Sequence, residues 1–292
     1  MQTLPVLPAW LFFLALVLLG LIVGSFLNVV ISRLPRMMEA QWQRDAADIL
    51  GQPAPPVASQ SFNIAVPRSA CPSCGAPVGA LHNLPVISFV LLRGRCAHCR
   101  ESISWQYPLV ELLAAAMAVV VGWRFGASAY LPLALILSWG LLALAAIDWQ
   151  TQLLPDSITL SLLWVGLIAS IGWPVTSGID PVSSIVGAAA GYGVLWLVFQ
   201  LFLMVTGKHG MGHGDFKLLA ALGAWLGWQQ LPLVLLMASL AGAVVGGVLM
   251  ASGRIERGRP MPFGPWLVIA GWLALVAGDT IVDFYLSVSG LR

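Results

Sequence analysis

Eight apolar stretches, most of them near the length of a bilayer-crossing helix, divide this chain and leave it little choice of fold. The first runs from Pro8 to Ile31. The others cover about 108–126, 129–147, 157–173, 182–206, 217–229, 231–251 and 264–287. A spanning helix needs roughly 20 mostly apolar residues. In hydrocarbon a backbone must bond its own polar groups, which a helix does within one segment. Of the 292 residues only 9% are charged and 59% are apolar, against about 25% charged in an ordinary soluble domain. That composition excludes a soluble enzyme, a disordered tail and a collagen-like or coiled-coil chain. The fold expected is an all-α polytopic membrane protein with about eight transmembrane helices. No internal repeat suggests the inverted halves of a transporter. The sixth stretch is short and runs into a Gly-Trp-Gln-Gln break at 227–230.

The first stretch has no basic residue before Trp10, and Arg33 and Arg36 follow it. It is too long for the apolar core of a signal peptide and reads as a retained anchor. Lys and Arg then orient the chain, because cytoplasmic loops carry the excess of them. With eight spans and the 33–106 segment inside, the inner loops hold Arg33, Arg36, Arg44, Arg68, Arg93, Arg95, Arg100, Lys208, Lys217, Arg254, Arg257 and Arg259. Only Arg124 and Arg292 fall outside, and both termini are periplasmic. The organisation expected is a first anchor (1–32), a cytosolic loop domain (33–106) and a seven-helix membrane domain (107–292). Inside the loop, Met37 to Leu50 has a weak helical pattern suited to the membrane surface, and Gln52 to Gln60 reads as a linker.

All four cysteines lie in that loop. Cys71-Pro-Ser-Cys74 and Cys96-Ala-His-Cys99 form two C-x2-C pairs with 21 residues between them. Two such knuckles can supply a tetrahedral set of thiolates, which suits structural Zn2+. Two disulfides are the alternative, disfavoured in a reducing cytosol. A loop this poor in apolar clusters needs a staple to hold a fold. His98 could replace a thiolate, but four Cys already complete the site.

With 12 acidic residues the carboxylates can be sorted one at a time. Glu39, Asp45, Asp48, Glu101 and Glu256 belong to cytosolic loops, and Asp180 to an outer loop. Glu111, Asp148, Asp156, Asp215, Asp279 and Asp283 lie in or beside spans, where an ionisable group is costly and therefore a functional candidate. Asp156 follows Pro155 and can cap a helix. Asp148 ends the third span, where an acid opposes the helix dipole. Asp215 sits in Gly210-Met-Gly212-His-Gly214-Asp215-Phe-Lys217, either as an N-cap or as a reactive group. Gly212 and Gly214 would let backbone approach a ligand closely. Lys217 either anchors to head groups or tunes Asp215. Glu111 is a first-turn acid or lines the site; Asp279 and Asp283 read as interfacial. Asp148 and Asp215, 67 residues apart, can meet at the inner face. Two carboxylates sharing a site cannot both ionise easily, so one can act as base on water while the other protonates a leaving group. Composition alone leaves aspartyl proteolysis and an ion-coupled transporter both open.

The motifs in their order resemble those of the bacterial type IV prepilin peptidases over nearly the whole chain. Gly24-Ser-Phe-Leu-Asn28 with Arg33-Leu-Pro35 is similar to the family's opening. Pro67-Arg-Ser-Ala-Cys71-Pro-Ser-Cys74 and Leu92-Arg-Gly-Arg-Cys96-Ala-His-Cys99 resemble its zinc loop, and Tyr107-Pro-Leu-Val-Glu111 the start of its second span. Ile147-Asp148 through Leu154-Pro155-Asp156, and Gly212-His-Gly214-Asp215, resemble its two aspartate motifs. The resemblance implies a membrane aspartyl endopeptidase with Asp148 and Asp215 as catalytic residues. Its substrates would be type IV prepilins and type II secretion pseudopilins, cleaved on the cytosolic side of the inner membrane. It also implies methylation of the new N-terminus with S-adenosyl-L-methionine, an activity that goes with the four-Cys loop. Glu101 and Glu111 could meet the basic leader. No Gly-rich strand-to-helix motif lies in 33–106, so the methyl donor is held some other way; Gly94, before the second knuckle, is one candidate contact. The partners expected are prepilin and pseudopilin precursors and the lipid bilayer, with no nucleic acid.

Overall fold

The computed structural model describes residues 8–53, 62–79, 84–172, 179–208, 210–253 and 261–289. Most of the linker at Gln52 to Gln60 lies outside these residues, as do Arg254, Glu256, Arg257, Arg259 and Arg292. Among the described residues every regular element is a helix, and the β content is two isolated bridges. Two compact units divide the chain, Met1–Trp123 and Arg124–Arg292.

The first unit is built on α1 (Ala9–Leu50), α2 (Ile87–Leu91) and α3 (Gln106–Phe125), whose last two residues belong to the second unit. At 42 residues, α1 is about 63 Å long, twice the hydrocarbon thickness. The weak helical pattern at Met37 to Leu50, expected to suit the membrane surface, is the continuation of the same helix that holds the first span. Pro35 lies inside α1 without ending it. It removes one backbone bond, but good helix formers such as Met, Glu, Ala and Gln follow. Gly51 stops the helix in a left-handed conformation, φ 63°. Against α3, α1 packs through Gly20 and Gly24. A methyl on Gly20 would lie 2.5 Å from Ala115 Cα, and one on Gly24 would lie 2.6 Å from Glu111 Cα. Small residues spaced by four are how membrane helices approach closely when lipid gives no hydrophobic drive. Asn28, buried on the same helix, donates to the Tyr107 carbonyl at 3.0 Å.

The second unit contains α4 (Leu131–Thr151), α5 (Asp156–Gly172), α6 (Pro181–Thr206), α7 (His213–Leu226), a 3-10 turn (Trp228–Gln230), α8 (Leu231–Ala251) and α9 (Gly264–Val288). Each apolar stretch of the sequence is thus a helix. Six of the described helices are long and apolar enough to cross a membrane; α5 and α7 are shorter. The Gly-Trp-Gln-Gln break is real: Gly227 takes φ 76° and the 3-10 turn separates α7 from α8.

The core of this unit is α7. Only 14 residues long, it is buried from Phe216 to Leu226 except at Lys217. Gly223 meets Gly187 of α6 backbone to backbone, and Gly191 lies against Leu219. Trp225 covers Gly166 of α5 and donates to the Leu162 carbonyl at 2.7 Å. Ser184 of α6 donates to the Ala224 carbonyl at 2.7 Å. A helix shielded on every side by protein can be shorter than the bilayer, because lipid-exposed backbone is what the hydrocarbon forbids.

Candidate active site and metal centre

Asp148 occupies the last turn of α4, which Gln152 closes in a left-handed conformation, and Asp215 the first turn of α7. Both are buried, at 4% and 7% exposure. Their surroundings meet at Leu154, which packs against Gly264 beside Asp148 and Gly214 beside Asp215. Asp215 is not an N-cap. That position belongs to Gly212, and the Asp215 backbone is already helical, its N–H reaching the Gly212 carbonyl at 3.3 Å. As a first-turn acid its charge is favoured by the dipole of α7.

Asp148 faces the opposite problem, an acid at the C-terminal end of its own helix. The tertiary structure answers it with the N-terminus of α9. Gly264, the first residue of α9, lies against this carboxylate: a methyl there would fall 2.6 Å from Asp148 Oδ2. Asp148 Oδ2 is nonetheless buried with no hydrogen-bond partner among the described residues. Buried polar atoms without partners are rare and call for a reason.

The two glycines of the Asp215 motif do different things. A methyl on Gly214 would lie 2.8 Å from Leu154 Cβ, so that position is filled by packing. A methyl on Gly212 would lie 3.9 Å from an Asp215 carboxylate oxygen and 4.0 Å from the Gly214 nitrogen, ordinary contact distances, so packing does not fill that position. Gly264 and Leu154 escaped the sequence reading. Leu154 lies between them, touching the space over both Gly214 and Gly264. The Met-Pro-Phe-Gly-Pro run at 261–265, a glycine wedged before a helix-starting proline, was the available signal.

Lys217 does not point its charge at Asp215. Its Nζ holds both oxygens of Asp156 at 2.7 Å, tying the start of α5 to α7. Glu111 is buried in the first unit, where its Oε2 accepts from the Val86 N–H at 2.7 Å. Asp279 lies 3.8 Å from Arg124.

In the first unit the Sγ atoms of Cys71, Cys74, Cys96 and Cys99 all lie within 4.8 Å of one another, and none is in a disulfide. Cys71 Sγ and Cys99 Sγ are 3.8 Å apart. A regular tetrahedron of thiolates with metal–sulfur bonds of about 2.3 Å has edges of about 3.8 Å, so the cluster has the dimensions of a metal centre. Its two halves repeat one another. The Cys71 and Cys96 N–H groups donate to the Ala76 and Glu101 carbonyls, and the Cys71 and Cys96 carbonyls accept from Gly75 and Arg100. Gly75 and Arg100 both turn at positive φ, 71° and 61°. In each knuckle backbone N–H groups point at the first sulfur. Those of Cys74 and Ser73 pull the Cys71 thiol down to about 6, and those of Cys99 and His98 lower Cys96. A thiol held as thiolate is ready to ligate. Gly94, at φ 67°, turns the chain beneath the Phe89 ring before the second knuckle, a structural use independent of any methyl donor.

A multi-pass helical membrane protein with a buried carboxylate pair at one end of a helical unit and a four-thiol centre in another defines a narrow class. The chain belongs to the type IV leader peptidase family: residues 135–247 match that family, and residues 18–125 match the bacterial peptidase A24 N-terminal domain. It is 49% identical over 282 residues to a Pseudomonas aeruginosa protein named prepilin leader peptidase/N-methyltransferase, with 96% of each chain covered. A Stutzerimonas stutzeri protein of the same name is 51% identical over 280 residues, again with 96% of each covered. One from Burkholderia pseudomallei is 47% identical, covering 94% of this chain and 87% of its own. No solved structure matches the chain.

Proposed function

We propose that this protein is an inner-membrane endopeptidase that removes the basic leader from type IV prepilins and pseudopilins and then N-methylates the exposed residue. Asp148 and Asp215 are its catalytic pair. The observation that carries this reading is the buried, unpartnered Asp148 Oδ2, with Leu154 reaching from Gly264 beside it to Gly214 beside the second buried carboxylate, Asp215, in a chain of this family.

The chemistry follows from the pair. One carboxylate takes a proton from water as its oxygen attacks the scissile carbonyl, and the other, protonated, donates to the departing nitrogen. The Asp148 oxygen without a partner is the group free to bond that water. Gly212 adds no side chain beside the Asp215 carboxylate. A prepilin has a basic leader followed by an apolar helix, so its scissile bond sits at the membrane surface. The excess of Lys and Arg in the loops sharing the side of both aspartates supports a cytosolic site and periplasmic termini. The eight-span count that this orientation needs is met if α5 and α7 cross within the shelter of their neighbours.

Cys71, Cys74, Cys96 and Cys99 hold Zn2+ in this reading, and the metal fixes the fold of the loop. S-adenosyl-L-methionine supplies the methyl group. The free amine released by cleavage is the nucleophile it requires.

The test uses purified protein, a prepilin-type substrate and S-adenosyl-L-methionine, with the product's N-terminus read by mass spectrometry. Wild type should give a cleaved, methylated product, and Asp148→Asn or Asp215→Asn should leave the substrate intact. Cleavage by Asp148→Asn would overturn the assignment and point to Asp156.

A further inference from the structure

The second unit has another polar site at its opposite end. Along α4 the distance from Asp148 to Tyr130 is about 27 Å, close to the hydrocarbon thickness. There, where α4 and α6 begin and α7 ends, lies a cavity of about 290 Å3. Tyr130 and Trp225 line it with ring centroids 6.4 Å apart, and Tyr130 is only 2% exposed. Arg124, Asp180, Gln230 and Asp279 supply the polar wall.

These polar groups do not satisfy one another. Arg124 spends Nε on the Val276 carbonyl at 3.1 Å, while its nearest approach to Asp279 is 3.8 Å. That is an ion pair but too long for a hydrogen bond. Its terminal nitrogens thus keep donor capacity. Gln230 Nε2 reaches Asp279 Oδ1 at a long 3.4 Å, and Gln230 Oε1 is buried with no partner among the described residues. Gln230 cannot turn away freely, since its amide packs on Gly278, where a methyl would lie 2.9 Å from Oε1. The site therefore offers donors at Arg124 and acceptors at Gln230 and Asp279.

We propose that this cavity binds the head group of a zwitterionic phospholipid with a primary amine, the phosphate on Arg124 and the ammonium on Gln230 Oε1 and Asp279. The level fits, because the cavity lies where apolar helices end and aromatic side chains gather, which is where head groups sit. Charge selects among lipids: two carboxylates against one guanidinium disfavour an anionic head group. Hydrogen bonding selects further, because the Gln230 oxygen needs an N–H donor, which a quaternary ammonium lacks. Nothing here depends on the cleavage reaction, so this site and the Asp148–Asp215 assignment fail separately.

Native mass spectrometry of the delipidated, detergent-solubilised protein tests it, with phosphatidylethanolamine, phosphatidylcholine and phosphatidylglycerol added in turn. One phosphatidylethanolamine should be retained, at least tenfold more firmly than either other lipid. Gln230→Leu and Arg124→Gln should each abolish that preference, and Arg124→Lys should restore part of it. Prepilin cleavage certifies the fold of each variant; if Arg124→Gln does not cleave, Gln230→Leu decides alone. Equal retention of the three lipids, retention indifferent to these substitutions, or no lipid retained at all would each overturn the proposal.

Discussion

Gly264 stands against Asp148 so closely that a single added methyl would lie 2.6 Å from the carboxylate oxygen Oδ2. Gly264 begins one helix and Asp148 lies in the last turn of another. The positive end of α9 thus faces an acid that its own helix disfavours.

Gly264→Ala should therefore act on catalysis rather than on substrate binding. Its methyl must displace Asp148 or the start of α9, and a displacement near 1 Å at a reacting group can cost roughly 100-fold. The expected outcome is a drop in kcat of that order with KM little changed, measured on a peptide carrying the leader junction. An unchanged kcat would separate Gly264 from the chemistry.

Cleavage and methylation should come apart. Asp148→Asn and Asp215→Asn, each supplied with an already cleaved pilin, should methylate it at close to the wild-type rate while cleaving intact prepilin at least about 1,000-fold more slowly, because losing the acid or base function removes most of what such a pair contributes. Mass spectrometry of both reactions reads the split.

Lys217 invites a milder expectation. Its ion pair with Asp156 is partly exposed, with side chains 29% and 55% accessible. Pairs of that kind contribute about 0.2–1 kcal/mol. Lys217→Met should lower thermal stability slightly and leave cleavage within about threefold of wild type. A loss of 100-fold or more would mean that Lys217 acts on Asp215 after all.

Metal analysis should find one ion per chain. Chelation, or Cys74→Ser, should remove it and make residues 62–106 markedly more sensitive to a protease added from solution, since the two knuckles are joined through the four thiols and such loops fold on their metal. Full protease resistance without metal would show that the knuckles hold by themselves.

Gly223→Ala should be severe for its size. Gly223 meets the Gly187 backbone directly, so the added methyl has rigid main chain to displace. Overpacking of this kind costs roughly 1–3 kcal/mol. A lowered unfolding temperature, with cleavage lost in proportion to the fraction unfolded, is the expected readout.

Much of this molecule was written locally. Each apolar stretch became a helix because hydropathy and helical bonding are decided within a segment, whatever surrounds it. The two C-x2-C pairs foretold a four-thiol cluster because their spacing dictates a local knuckle turn, which the structure completes with positive φ at Gly75 and Arg100. What the sequence could not hold were relationships between distant segments. It gave Lys217 two fates, and the structure supplied a third partner, Asp156, 61 residues away. It gave Met37 to Leu50 a weak helical pattern suited to the membrane surface, whereas the helix begun at Ala9 runs on through Pro35 to Leu50, its continuing turns outweighing one lost bond. For Gly264 it held only the hint of the Met-Pro-Phe-Gly-Pro run, and Leu154 stood in it as one letter of a motif, because the importance of each lies in what it touches. Which atoms are crowded, and which buried oxygen is left without a partner, depends on contacts across the chain, and only the tertiary structure decides those.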